Sequence, residues 1–170
     1  MIDDVIEMPE PLGLFAKQLF HRGSEYLEAF KIVHQDERLK YPTYYLLTHS
    51  LELFLKSYLA ANNVSKRDLR SKNLAHNLDK LHKRCVDIGM PNIPNLEHFA
   101  REFQHKNSDH DFRYPTNYIL RIPSPKLCLE VMEPLRDTLR PIIGAIAMRA
   151  QLDWANETAH LRGRKIRWSD

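Results

Sequence analysis

Three short stretches of this chain hold side chains able to move a proton or grip a phosphate. The first is TYYLLTHSLELFLKSYLAA, residues 43–61, in which His49, Glu52 and Lys56 fall at i, i+3 and i+7. That spacing puts them on one face of a helix that is otherwise Leu, Phe and Tyr. Glu52 and Lys56 also have the order and separation of a favourable i,i+4 pair. Charged groups on so apolar a helix must be paired or must face a cleft. They therefore form either a polar pocket wall or the solvent stripe of an amphipathic helix. The second stretch runs from Arg70 to His76 (RSKNLAH). Its Arg could hold a phosphate while its His moves a proton during RNA cleavage. His76 fits equally well as a helix-start histidine bonded to a nearby carbonyl. The third is Asp109-His110-Asp111-Phe112-Arg113-Tyr114-Pro115. Arg113 offers a planar fork of donors that suits either a ligand phosphate or the Glu52 carboxylate.

Other constellations are weaker. His98, Glu102 and His105 share a helix face at i, i+4 and i+7. Two turns separate the imidazoles, too far for one metal without further ligands, so neither a metal nor a cofactor is expected. The sequence contains no GxSxG, GxxxxGK[ST] or GxGxxG signature. The terminal Arg162, Arg164, Lys165 and Arg167 with Trp168 suit either a phosphate-gripping, base-stacking tail or a solvated end.

The elements that must position these groups read as helices. Only 5 glycines occur, apolar residues recur every three or four positions, and alternating patterns are almost absent. Residues 1–11 read as a short arm closed by Pro9 and Pro11, followed by a helix over about 12–33. Pro42 sits where the next helix starts, its fixed φ suited to a first turn. That helix, 43–61, is apolar over most of its circumference and reads as the centre of a bundle. Asn62 and Asn63 end it, and 64–73 is a charged connector. Asn77 caps a helix over 78–88, ended by Gly89 and Pro91. Asn95 opens another over 96–106, and a long polar loop follows. Ser124-Pro125 begins a last segment reaching about 160, which Pro134 and Pro141 are expected to kink or divide. The expected fold is all-α, an up-and-down bundle of four to five main helices in a single domain over 1–170. Its core spans about 12–160, with a basic tail over 161–170.

Composition sets the outer limits. With 170 residues, 43% hydrophobic and 28% charged, the chain matches one globular domain and excludes disordered and collagenous classes. No apolar run approaches a membrane span, and the acidic MIDDVIEMPE start is unlike a signal peptide. Two distant cysteines, Cys85 and Cys128, suit a reducing cytoplasm. A formal charge of +3 is compatible with a nucleic-acid partner without requiring one. Small residues Gly144, Ala145 and Ala147 in PIIGAIAMRAQLDWA suit close helix packing, within the bundle or across a dimer.

In combination, YYLLTHSLELFLKSYLAANN, AHNLDKLHKRC and the later FRYP resemble the HEPN (higher eukaryotes and prokaryotes nucleotide-binding) domain family, in order over about residues 12–160. The AHNLDKL segment is similar to that family's Gly-His-Asp-Leu helix start. The resemblance implies a helical bundle, commonly a homodimer, in prokaryotic cytoplasm. It implies either a metal-independent endoribonuclease of a toxin–antitoxin or defence system, with an antitoxin-type protein partner, or a non-catalytic module that binds RNA, nucleotides or protein. Carried onto this chain, it gives Glu52 and Lys56 as the central-helix pair, His76 as the helix-start His, and Arg113 and Tyr114 as the loop residues. The family's nucleases place Arg-x(4–6)-His near the start of a late helix. Here residues 112–140 contain Arg113 and Arg121 but no His, and Arg70–His76 matches only the letters. The expectation is one polar cleft gathering Glu52, Lys56, His76, Arg113 and Tyr114, with His49 beside it.

Overall fold

A computed structural model describes residues 5–108 and 110–169. Its elements in order are β1 (Ile6–Pro9), α1 (Leu12–Val33), α2 (Lys40–Ala61), α3 (Lys66–Leu69), α4 (Leu78–Asp87), α5 (Leu96–Ser108), α6 (Pro125–Glu157) and β2 (Ile166–Ser169). The chain is thus mostly helical, and α1, α2, α4, α5 and α6 are its main helices.

The buried positions of α1 are Gly13, Ala16, Phe20, Gly23, Leu27 and Phe30, an alternation of three- and four-residue steps that makes one seam. The seam packs on α2, which is buried on nearly every side and lies at the centre. At Gly23 an added Cβ would come 3.0 Å from the Phe54 ring, and Ser50 Oγ donates to the Gly23 carbonyl at 2.7 Å. Glycine is what lets α1 and α2 approach this closely. At Gly13 a Cβ would lie 2.7 Å from Ala150 Cβ, so the tight α1–α6 crossing is made there. Of Gly144, Ala145 and Ala147, expected to serve close packing within the bundle or across a dimer, only Ala147 is buried in the bundle; Gly144 and Ala145 are exposed. Truncating fully buried Phe54 to Ala would cost about 3–5 kcal/mol.

Local signals explain the helix ends. Asn77 accepts from the Lys80 amide at 2.9 Å and starts α4. The helix closes with Gly89 at φ 92° and the Met90 amide donating to the Cys85 carbonyl at 3.0 Å. α2 begins at Lys40 with Pro42 in its first turn, and the connector after it contains the single-turn α3.

The prolines do not divide the last segment: α6 is one continuous helix through Pro134 and Pro141, 33 residues and about 50 Å long. Each proline removes one backbone donor, but Val131, Met132, Leu135, Leu139, Ile143 and Ala147 are buried on both sides of the breaks, and that packing holds the helix together. The arm and the tail pair with each other. β1 and β2 pair in parallel, Glu7 opposite Arg167 and Met8 opposite Trp168, and Trp168 packs on Trp154 of α6 with ring centroids 5.1 Å apart. Residues 1–4 of the arm and Asp170 of the tail lie outside the described residues.

Candidate functional site

The polar stripe of α2 faces inward rather than toward solvent. Glu52 is 5% exposed and accepts from Lys56 Nζ at 2.7 Å. His76, in the turn before α4, brings Nδ1 to 3.2 Å from both Glu52 oxygens. His76 is thus bonded to a carboxylate, and one buried acid holds two basic groups. α4 is steadied close by, because Gln104 of α5 accepts from the Leu78 amide at 2.6 Å.

His49 lies one turn earlier on α2, edge-on to Tyr26 at 4.5 Å and parallel to the ring of Tyr45 at 6.2 Å. Burial holds its pKa below the ordinary imidazole value. The Glu52 carboxylate opposes that shift, while the charges of Lys56, His76 and Arg113 reinforce it. These four groups are therefore close enough to share a field around His49.

Arg113 reaches the cluster from the loop after α5. Its guanidinium sits over the Tyr45 ring, 5.1 Å from the centroid. Among the described residues it makes no ion pair, so the expected Arg113–Glu52 bridge is replaced by a cation–aromatic contact. The loop is pinned by Tyr44, which sequence reasoning passed over. Phe112 stacks on the Tyr44 ring at 6.0 Å, and the Tyr44 hydroxyl donates to the Pro123 carbonyl at 2.6 Å. An apolar Phe inside an otherwise polar stretch was the available signal. The Asp111 amide donates to the Lys106 carbonyl at 3.0 Å, and His110 takes a left-handed φ of 58° to close α5. Asp109 lies outside the described residues.

Between the α4 start, α5 and this loop lies an open groove of about 380 Å³, whose walls include Lys72, His76, Gln104, Ser108, His110 and Arg113. Among the described residues no carboxylate lines it. Two permanent cations, two imidazoles and neutral donors make it a place for an anion. Arg70, paired with His76 in the sequence, follows α3 and is not part of this wall. Tyr114 is 67% exposed and lines a separate cleft that shares Arg113. The expected cleft is thus divided: Glu52, Lys56 and His76 touch, Arg113 joins His76 across the groove, and Tyr114 stands outside it.

His98 Nε2 is 3.8 Å from Glu102, which also pairs with Lys106 at 3.2 Å. Among the described residues no group of three His, Cys, Asp or Glu side chains is placed to hold a metal ion. Cys85 and Cys128 are free and buried, and burial pushes the Cys128 thiol up to about 12. Among the described residues no helix is long and apolar enough to cross a membrane.

No family model matches the chain, and neither a curated protein nor a solved structure matches it.

Proposed function

We propose that this chain is a HEPN-like helical module that binds RNA or a nucleotide through its phosphate. The observation that carries the reading is the groove in which Arg113 and Lys72 accompany His76 and His110. Arg113 supplies a bidentate donor fork, and its position over Tyr45 holds the guanidinium in place without neutralising it. The toxin–antitoxin or defence setting, a second copy of the chain and an antitoxin-type partner follow from the resemblance alone. The test is RNA binding by Arg113→Ala. Weaker binding at an unchanged melting temperature supports the groove. A fall in melting temperature with binding intact makes Arg113 a structural residue and removes it.

The Glu52–His76 contact favours a second reading, metal-independent RNA cleavage. A carboxylate on Nδ1 fixes the imidazole tautomer and leaves proton transfer to Nε2. In that reading Nε2 takes the proton of a 2′-hydroxyl as its oxygen bonds to the adjacent phosphorus; the P–O5′ bond breaks to leave a 2′,3′-cyclic phosphate, the departing 5′-oxygen takes a proton from water, and Arg113 stabilises the charge that develops. Cleavage that survives EDTA and disappears in a folded His76→Ala variant would establish it. Intact RNA after incubation with folded protein leaves binding alone.

A further inference from the structure

Arg113 lines two clefts, and the second has a chemistry of its own. It measures about 340 Å³, and its lining includes Tyr41, Asp111, Tyr114 and Pro115. Tyr41 and Tyr114 are 48% and 67% exposed, so two aromatic faces stand at its rim. Asp111, by contrast, is only 5% exposed. It is fixed on one side by its backbone N–H, which donates to the Lys106 carbonyl, and on the other by Phe112, which is buried against Phe103 and Tyr44. Its Oδ1 accepts from the Tyr118 hydroxyl, and among the described residues no donor reaches Oδ2 and no cation pairs with the carboxylate.

A carboxylate is an acceptor without a donor of its own, so Oδ2, to which none of the described residues donates, can take an N–H group from a ligand. The rim calls for a flat ring, because exposed tyrosines give stacking area at little conformational cost. Arg113 at the shared wall calls for an anion next to that ring. A ring carrying N–H donors beside a phosphate describes a nucleobase with an exocyclic amino group. Cytosine, adenine and guanine each present one. Uracil presents only N3–H between two carbonyl oxygens, which a carboxylate repels. The base must be unpaired, since in a duplex its amino edge is already bonded.

We propose that the Tyr41–Asp111–Tyr114 cleft is a base-selecting subsite for single-stranded RNA, in which Asp111 accepts the amino group of cytosine, adenine or guanine and rejects uracil. It rests on the reading that the Arg113 groove holds phosphate. It adds that the ligand is a strand reaching across both clefts.

The test is titration of the full chain with hexacytidylate and hexauridylate, which match in length, charge and ring size. The wild type should bind the cytidine strand about tenfold or more tightly, the worth of one hydrogen bond to a charged acceptor. Asp111→Asn should bring the two within about threefold, because a carboxamide can donate to the uracil oxygen as well as accept. Arg113→Ala should weaken both strands alike and leave their ratio unchanged. Equal affinity of the wild type for the two strands overturns the subsite and leaves the phosphate groove standing. Binding of neither strand overturns both. The wild-type ratio needs no variant, so a misfolded Asp111→Asn protein would not shelter the idea. A ratio that persists in a folded Asp111→Asn protein also sinks it.

Discussion

Glu52 and His76 stand 24 positions apart in the chain, yet Nδ1 of His76 lies 3.2 Å from both oxygens of the Glu52 carboxylate. The same carboxylate holds Lys56 at 2.7 Å. The acid is buried, the lysine side chain is 14% exposed and the imidazole is largely exposed, so the three form a ladder from the core of α2 to the groove. The arrangement gives the central helix a structural charge pair and gives His76 an orientation, and the two roles separate by substitution.

Glu52→Gln should destabilise the fold by about 1–3 kcal/mol, because it leaves the Lys56 ammonium poorly compensated in a mostly buried site. His76→Ala should change stability by less than about 1 kcal/mol, since most of that ring is in water. Urea unfolding of the two variants checks both. A Glu52→Gln protein as stable as the parent would mean that Lys56 reaches solvent without help.

Arg113→Ala tests the groove by salt dependence as well as by affinity. A strand held by several phosphate contacts loses affinity linearly with the logarithm of salt, at about 0.7 per contact for single strands. The variant should therefore bind more weakly and show a slope lower by about 0.7. An unchanged slope would take Arg113 off the phosphate. Stability should fall by no more than about 1 kcal/mol, the scale of an exposed cation–aromatic contact.

Much of the frame was readable because its signals are local. The Asn77 cap, the Ser124-Pro125 start and the all-round apolarity of residues 43–61 each act within a turn or two of chain. The polar stripe on α2 was readable as a choice, pocket wall or solvent face, and burial of Glu52 decided it. What lay out of reach was long-range. His76 reaches Glu52 only because α4 packs on α2. Tyr44 pins the 112–123 loop from another helix. IEMP and IRWS are too short to show a strand period, and they pair from opposite ends of the chain. Pro134 and Pro141 do not divide α6, because the local penalty was outweighed by packing along the length of the helix.

One buried and one half-buried imidazole should make the protein acid-sensitive. His49 and His82 both have pKa values lowered by burial, and His82, 7% exposed on α4, has an Nδ1 with no hydrogen-bond partner among the described residues. Glu97 of α5 and Asp79 oppose the His82 shift, while Arg101 of α5 and Lys83 add to it. Where the folded pKa lies below the unfolded one, the unfolded chain binds more protons in the interval between them, so stability rises with pH there. The contribution is complete above the unfolded value near 6.5 and is lost as pH falls toward the lowered folded values. Melting temperature measured from pH 7.5 down to 5 should fall, and fall less in His82→Gln. Parallel curves for the two proteins would remove His82 from the account.

The pairing of the two chain ends has an optical readout, since Trp154 and Trp168 are the only tryptophans in the sequence. Their rings lie 5.1 Å apart, and Trp168 is carried by β2, whose partner β1 leads directly into α1. Trp168→Ala removes an aromatic contact worth about 0.5–1.5 kcal/mol beyond its buried area, so stability should fall by at least that much. Trp154 then loses its cover, and its emission should move to longer wavelength at the same protein concentration. Glu7→Lys probes the same pairing from the other strand by placing a like charge opposite Arg167, and it should red-shift the parent fluorescence in the same direction. If neither change moves the emission, β2 does not hold Trp168 against α6 in solution.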